Sequence, residues 1–329
     1  MAGHRRGNAS PIDRRRRVGL LALLLVTIVP ARAHVADKDR LVCSIDLGSN
    51  SFKRIVGSFT AGRYKQIDIE KKTLGVGDDL TRNGKISDAK LAEIEATLVE
   101  FKASCARQGT ASIVAIGTAA FREAPNGTHV VEVARKLGIP MEIATEKRES
   151  ELGYLAGTLG QNGYAVIDNG SRSIELASKE ARQDVRYSVF DLGYRVAYDK
   201  FFATAERALP EIRALRELVK REAAQGGFMK EKQRLIGVEF DEMVDVFFKS
   251  FKKKGDALKL NVLKRKLSEI EASSAEEFQA LKKIKDIDRA LPRLVVAVTL
   301  MEEFGYSAIS LTSRELGSGL IIEAGSKNR

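Results

Sequence analysis

The sequence predicts an α/β protein made of two similar halves with a cleft between them. The main observation is a duplicated frame, Asp-x-Gly-Ser-x-Ser plus an apolar residue. It occurs at Asp46-Leu47-Gly48-Ser49-Asn50-Ser51-Phe52 and again at Asp168-Asn169-Gly170-Ser171-Arg172-Ser173-Ile174. Each copy follows a short apolar run, Leu41 to Ile45 and Tyr164 to Ile167, and each precedes a strand, polar turn, strand pattern. The first such hairpin is Arg54 to Phe59 and Tyr64 to Ile69; the second is Glu175 to Ser178 and Val185 to Phe190. Strand, Asp-Gly loop and hairpin written twice signal a duplication, and 329 residues suffice for two domains with their own cores. Glycine lets the backbone come close to a ligand, and successive loop N–H groups bind anions. Two such loops facing across a cleft suit a phosphate chain.

The elements follow in order. Of the formal charge of +11, residues 1–33 carry +6, seven arginines against Asp13, which leaves +5 for the rest. That segment has the form of a secretory signal: basic Arg14 to Arg17, apolar Val18 to Val29, and the small-x-small site Ala31-Arg32-Ala33. Its apolar part is shorter than the roughly 20 residues a membrane span needs. A cleaved signal predicts a periplasmic or secreted protein, not an integral membrane protein; a misassigned start codon would leave it cytoplasmic. Residues 34–40 are a lead-in. Cys43 and Cys105 are the only cysteines; export would permit a pairing, but the apolar strand around Cys43 favours two buried free thiols. Gly75 to Gly84 reads as a loop. Ser87 then caps a helix over 88–107, with Leu91, Ile94, Leu98 and Phe101 at helical spacing. A strand Ala111 to Ile116, a helix Val130 to Leu137, a strand Met141 to Ala144 and a helix Glu149 to Leu159 complete a first domain, 41–160.

The second domain, 161–329, opens with Tyr164 and carries a large helical insertion, 205–305, read almost entirely as helix. Between Lys249 and Lys285 there are eleven basic and five acidic residues, either a track guiding a polyanion or a solvated face. Aromatics are sparse there, against single-strand stacking. The chain closes with a strand Ala308 to Leu311, a Gly317-Ser318-Gly319 loop and an apolar stretch Leu320 to Ile322.

Several chemistries are excluded. His4, His34 and His129 are the only histidines, neither cysteine begins a Cys-x5-Arg loop, and there is no Gly-x4-Gly-Lys-Ser/Thr. Carboxylates beside glycine loops remain: Asp46, Asp168, Glu175 and Glu149. A strand-end Asp beside an anion loop suits Mg2+ held on phosphates, and a nearby Glu suits deprotonation of an attacking water. Equally, such Asp residues often only tie up a turn, and a Glu in a first helical turn often only complements the dipole.

These residues resemble the exopolyphosphatase / guanosine pentaphosphate phosphohydrolase (Ppx/GppA) family of the actin-like superfamily, over about residues 41–324. Asp46-Leu47-Gly48-Ser49-Asn50-Ser51 matches that family's first phosphate loop. Gly117-Thr118 to Asn126 resembles its Thr-x-x-x-Arg-x-Ala-x-Asn segment, which implies that Arg122 faces the phosphates. Arg148-Glu149-Ser150-Glu151-Leu152-Gly153-Tyr154-Leu155 resembles its Glu-Ala-Arg-Leu helix start. This implies Glu149 as the catalytic base, with Glu151 close by as a second register. Leu192 to Val196 and Phe201-Phe202 resemble the stretch after the second hairpin.

The resemblance implies two ribonuclease-H-like (actin/Hsp70-like) domains about an interdomain cleft, closing by a hinge near 157–163. It implies a Mg2+-dependent phosphoanhydride hydrolase acting on inorganic polyphosphate or a guanosine pentaphosphate-like compound. Gly48, Ser49, Asn50, Ser51, Gly170, Ser171, Arg172 and Ser173 would hold phosphate, and Asp46, Asp168 and Glu175 the metal. Glu149, Asp168, Glu175 and Arg122 would carry catalysis. No nucleic-acid duplex is expected as partner, and a homodimer stays open. Two departures favour an alternative, a weakened or inactive relative that senses polyphosphate or nucleotide. Ser171 and Arg172 replace two glycines, and Glu239-Phe240-Asp241 stands where the family has Gly-Gly-Thr, placing carboxylates where phosphate would bind. A sugar kinase of the same superfamily fits less well.

Overall fold

The computed structural model describes residues 40–225, 234–249 and 257–327. The expected signal, 1–33, and residues 250–256 of the basic stretch lie outside them. The chain opens with β1 (Val42–Leu47), β2 (Ser51–Thr60) and β3 (Arg63–Thr73). Every residue of β1 is buried, whereas β3 is largely exposed. These patterns suit a strand covered on both faces and a sheet edge respectively. Helices α1 (Val76–Asn83) and α2 (Asp88–Arg107), strand β4 (Ser112–Gly117), helices α3 (Ala119–Glu123) and α4 (Thr128–Lys136) and strand β5 (Met141–Ile143) follow. The sheet order is β3-β2-β1-β4-β5, with β1 antiparallel to β2 and parallel to β4. Helix α5 (Glu146–Thr158) then leads to β6 (Tyr164–Asn169), β7 (Ile174–Lys179) and β8 (Arg186–Phe190).

The second half continues with α6 (Tyr194–Phe201), α7 (Ala208–Gln225), β9 (Arg234–Val238), α8 (Asp241–Phe247), β10 (Ala257–Lys259), α9 (Leu260–Glu271), α10 (Ala275–Leu281), α11 (Ile287–Phe304), β11 (Ala308–Thr312) and α12 (Leu316–Lys327). Its sheet runs β10-β11-β9-β6-β7-β8. Apart from β10, added antiparallel at the edge, this is the first sheet's order again: a hairpin, then a central strand, then parallel strands. The fold is two ribonuclease-H-like halves. Helix α5 lies between them: Leu152 packs with Ile116, Leu316 and Leu320, and Tyr154 packs with Val166, Ala177 and Ile236 of the second sheet.

Four expectations are corrected. Gly75 to Gly84 is not a loop but contains α1, with Gly75 and Gly84 as its left-handed caps at φ 61° and 67°. The glycines that look like turn signals are helix ends. Residues 205–305 are not almost all helix: β9 is a central strand between β6 and β11, and β10 lies at the edge. A buried apolar run as short as Leu235 to Val238 has no period that separates strand from helix. Gly317-Ser318-Gly319 is inside α12, which returns to the first half and packs on β1 and β2, with Ile321 against Val42 and Ile55. A Cβ on Gly319 would stand 2.3 Å from the Leu152 carbonyl oxygen, so glycine here serves helix packing against α5. Finally, Cys43 and Cys105 form a disulfide joining β1 to α2; the sequence showed the apolar strand but not that α2 lies over it.

Candidate active site

The two duplicated loops meet at one cleft. Each leaves the end of a central strand, so Asp46 and Asp168 are the last-but-one residues of β1 and β6. Each loop is then tied down by the start of a later helix. In the first, the Asn50 carbonyl accepts from the Leu74 and Gly75 amides at 3.0 and 2.9 Å, and the Ser49 carbonyl from Gly77 at 2.7 Å. In the second, the Gly170, Ser171 and Arg172 carbonyls accept from Tyr194, Arg195 and Gly193 at 2.9, 3.1 and 2.7 Å. Helix α1, unexpected from sequence, thus does for the first loop what α6 does for the second. Gly193 is required there, because a Cβ would come within 2.4 Å of the Ser171 carbonyl carbon.

Between the loops is a cavity of about 190 Å3. Asp46, Gly48, Ser49, Asn50, Ser51, Glu149, Asp168, Gly170, Ser171, Arg172, Ser173 and Glu175 all line it. Among the residues singled out in the sequence, Arg122 is absent from that lining. Its Nη1 donates instead to Glu149 Oε2 at 3.1 Å and to the Ala144 carbonyl at 2.8 Å, steadying Glu149 from behind. Glu149 sits one turn into α5, after the Thr145 cap whose side chain accepts from the Arg148 amide. Glu151 does not reach the cavity and pairs with Lys147. Arg172 is engaged by Glu123 of the first half, Nη2 to Oε2 2.7 Å.

The carboxyls are held in an environment that resists ionisation. Burial pushes Asp46 up to about 8; Lys53 opposes this, and Glu239, Glu315 and Glu149 add to it. Burial likewise raises Asp168 and Glu175, reinforced by Glu239 for Asp168 and by Glu149 for Glu175, whose Oε1 accepts from Ser173 Oγ at 2.5 Å. Glu149 is raised by burial against the pull of Arg122. Asp46 Oδ1 is buried with no hydrogen-bond partner among the described residues. Among the described residues the lining holds eight carboxyl groups against four lysines and arginines.

Sequence reasoning missed the basic residues at the far end. Lys53 on β2 pairs with Glu239 and, at 2.9 Å, with Glu315. Arg293, buried on α11, reaches Glu242 Oε2 at 2.7 Å and Glu239 Oε2 at 3.6 Å, and its guanidinium lies 4.3 Å from the Tyr194 ring centroid. The signal available was charge inside apolar patterns: Lys53 within a strand, and Arg293 in the apolar run Leu291 to Leu300. Glu239 adopts φ 61°, a left-handed backbone that costs a side-chain-bearing residue about 1–2 kcal/mol.

Two ribonuclease-H-like halves, with paired glycine-serine loops and carboxyls meeting at their central strand ends, define a two-domain protein of the actin-like class. The Ppx/GppA phosphatase family model matches residues 55–325, and the chain belongs to that family. It is 29% identical over 140 residues to exopolyphosphatase 1 of Mycobacterium leprae, a match spanning 41% of either chain, so only about two-fifths of that curated relative's length is covered. The Aquifex aeolicus Ppx/GppA family member has a similar structure, with a TM-score of 0.75 at 19% identity over 88% of this chain and 98% of that one. An exopolyphosphatase from Cytophaga hutchinsonii gives 0.67 at 19% identity over 87% and 98%.

Proposed function

We propose that the protein is a phosphoanhydride hydrolase that removes the terminal phosphate of inorganic polyphosphate or of a guanosine pentaphosphate-like compound. The observation that carries this reading is the convergence of both glycine-serine loops with Glu149, Asp168 and Glu175 on one cavity. The loops hold the terminal phosphates. Water attacks the terminal phosphorus and gives its proton to Glu149, whose burial-raised basicity suits it as a base. The bridging P–O bond breaks, releasing orthophosphate and a chain one unit shorter. Arg122 acts through Glu149, fixing its orientation.

A divalent cation, Mg2+ in our reading, fits the donor set. The unpartnered Asp46 Oδ1 and the mutually destabilised carboxyls favour a cation among them. Among the described residues no three carboxylates, histidines or cysteines converge tightly enough to cage a metal. Mg2+ takes one or two carboxylates and completes its shell with water and phosphate oxygens. Of Asp46, Asp168 and Glu175, one or two would hold it directly and the remainder through its bound water, and it would neutralise charge on the phosphoryl oxygens.

A second cavity, of about 700 Å3, shares Ser49, Asn50, Ser171 and Arg172 with the first and adds Arg82, Arg195 and Lys200. The remainder of the chain leaves by that route. Export of the protein is part of this proposal, supported by the form of residues 1–33 and by the disulfide, a bond kept in oxidising compartments.

The test is phosphate release from long-chain polyphosphate and from guanosine pentaphosphate with Mg2+, beside Glu149→Ala. The expected loss in the variant is about 10²–10⁴-fold. Binding without turnover by the unaltered protein would favour the second reading, a sensor. The carboxylates of Glu239 and Glu242 inside the cavity speak for that one.

A further inference from the structure

We propose that Lys53 and Arg293 form a phosphate subsite at the far end of the cleft and that the Glu239 carboxylate is its built-in occupant. Glu239 then determines how much of a phosphate chain the cleft accepts. The inference rests on the hydrolase reading above for its ligand class, but its geometry stands independently.

Lys53 and Arg293 come from opposite halves and meet on one side chain: Lys53 Nζ pairs with Glu239 Oε1, while Arg293 Nη2 lies 3.6 Å from Oε2. All three residues line the cavity. Two cations bracketing the two oxygens of one anion is the arrangement that phosphate oxygens also seek. The backbone tells the same story. Glu239 holds φ 61°, the conformation natural to glycine. A glycine-type backbone thus carries a side chain that fills the space between the two cations with negative charge.

Both cations have supports besides Glu239, so removing it leaves them in place. Arg293 donates to Glu242 at 2.7 Å and to the Asn169 carbonyl at 3.1 Å, and stacks on Tyr194. Lys53 keeps Glu315 at 2.9 Å. The subsite is continuous with the first phosphate loop, because the Tyr194 hydroxyl accepts from Asn50 Nδ2 at 3.2 Å.

The test is calorimetric titration with inorganic tripolyphosphate in EDTA, comparing the unaltered protein with Glu239→Gln and Glu239→Gly, circular dichroism confirming the fold of each. Glu239→Gln keeps the side-chain size should the glycine variant fail to fold. The expected result is binding at least tenfold tighter, about 1.4 kcal/mol, in the folded variants, with the gain abolished by adding Arg293→Met. Unchanged or weaker binding in folded Glu239→Gln overturns the proposal, as does a gain that survives Arg293→Met. Phosphate release, measured separately, keeps the two readings apart. Turnover with no gain in Glu239→Gln sinks the subsite alone, and a gain without any turnover sinks the hydrolase alone.

Discussion

Glu239 keeps its charge where burial argues against it. Burial raises its pKa, but Lys53 and Arg293 overcome that and hold it at about 2. A carboxyl lowered on folding contributes stability that is complete above its unfolded value, near 4.5, and is lost as pH falls toward 2. Urea unfolding at pH 5, 4, 3 and 2.5 (roughly bracketing that window) should therefore show the stability difference between the unaltered protein and Glu239→Gln shrinking as the pH falls. A difference that stays constant would mean the pair contributes no charge-dependent stability. The sequence marked Glu239 and Asp241 as departures and read them as repelling phosphate. It could not show that Glu239 is neutralised, because its partner Lys53 lies 186 positions away. Glu149, by contrast, was legible: a carboxylate in the first turn of a helix entering the cleft.

At the scale of elements, the disulfide ties the strand that carries Asp46 to the helix covering it, across a sequence separation of 62. Closing a loop of that size restricts the unfolded chain by about 4 kcal/mol. Cys105→Ser should accordingly lower the melting temperature by roughly 10 °C. A calorimetric scan matching the unaltered protein would show that the bond contributes nothing to stability. Elements with a clear period were legible: α2 spans the 88–107 read from its apolar spacing and its Ser87 cap. Two of the four corrected expectations fall at glycines. Gly75 and Gly84 cap a helix rather than mark a loop, and Gly317 and Gly319 lie within one. Glycine chosen for close packing and glycine chosen for a turn look the same in a sequence; only the neighbour that approaches tells them apart.

Across the whole molecule, the duplication read from two seven-residue frames is the architecture itself, two sheets of matching order whose loops face one cleft. The route away from that cleft was not legible, since Arg82 and Lys200 belong to helix ends 118 positions apart in sequence that only the fold brings together. If a phosphate chain follows that route, Arg82→Glu with Lys200→Glu should raise KM for long-chain polyphosphate about tenfold or more and leave tripolyphosphate within about twofold. Equal effects on both lengths would place the chain elsewhere. The return of α12 to the first half carries a different consequence. Val42 and Ile55, near the beginning of the described chain, are covered by Ile321, near its end. The first half therefore emerges from the ribosome with part of its core open, and it stays so until the segment around Ile321 has been made. Contacts this distant in sequence close late and slowly. During synthesis the first half is thus a species exposed to aggregation and to holding chaperones, and its completion is timed by α12.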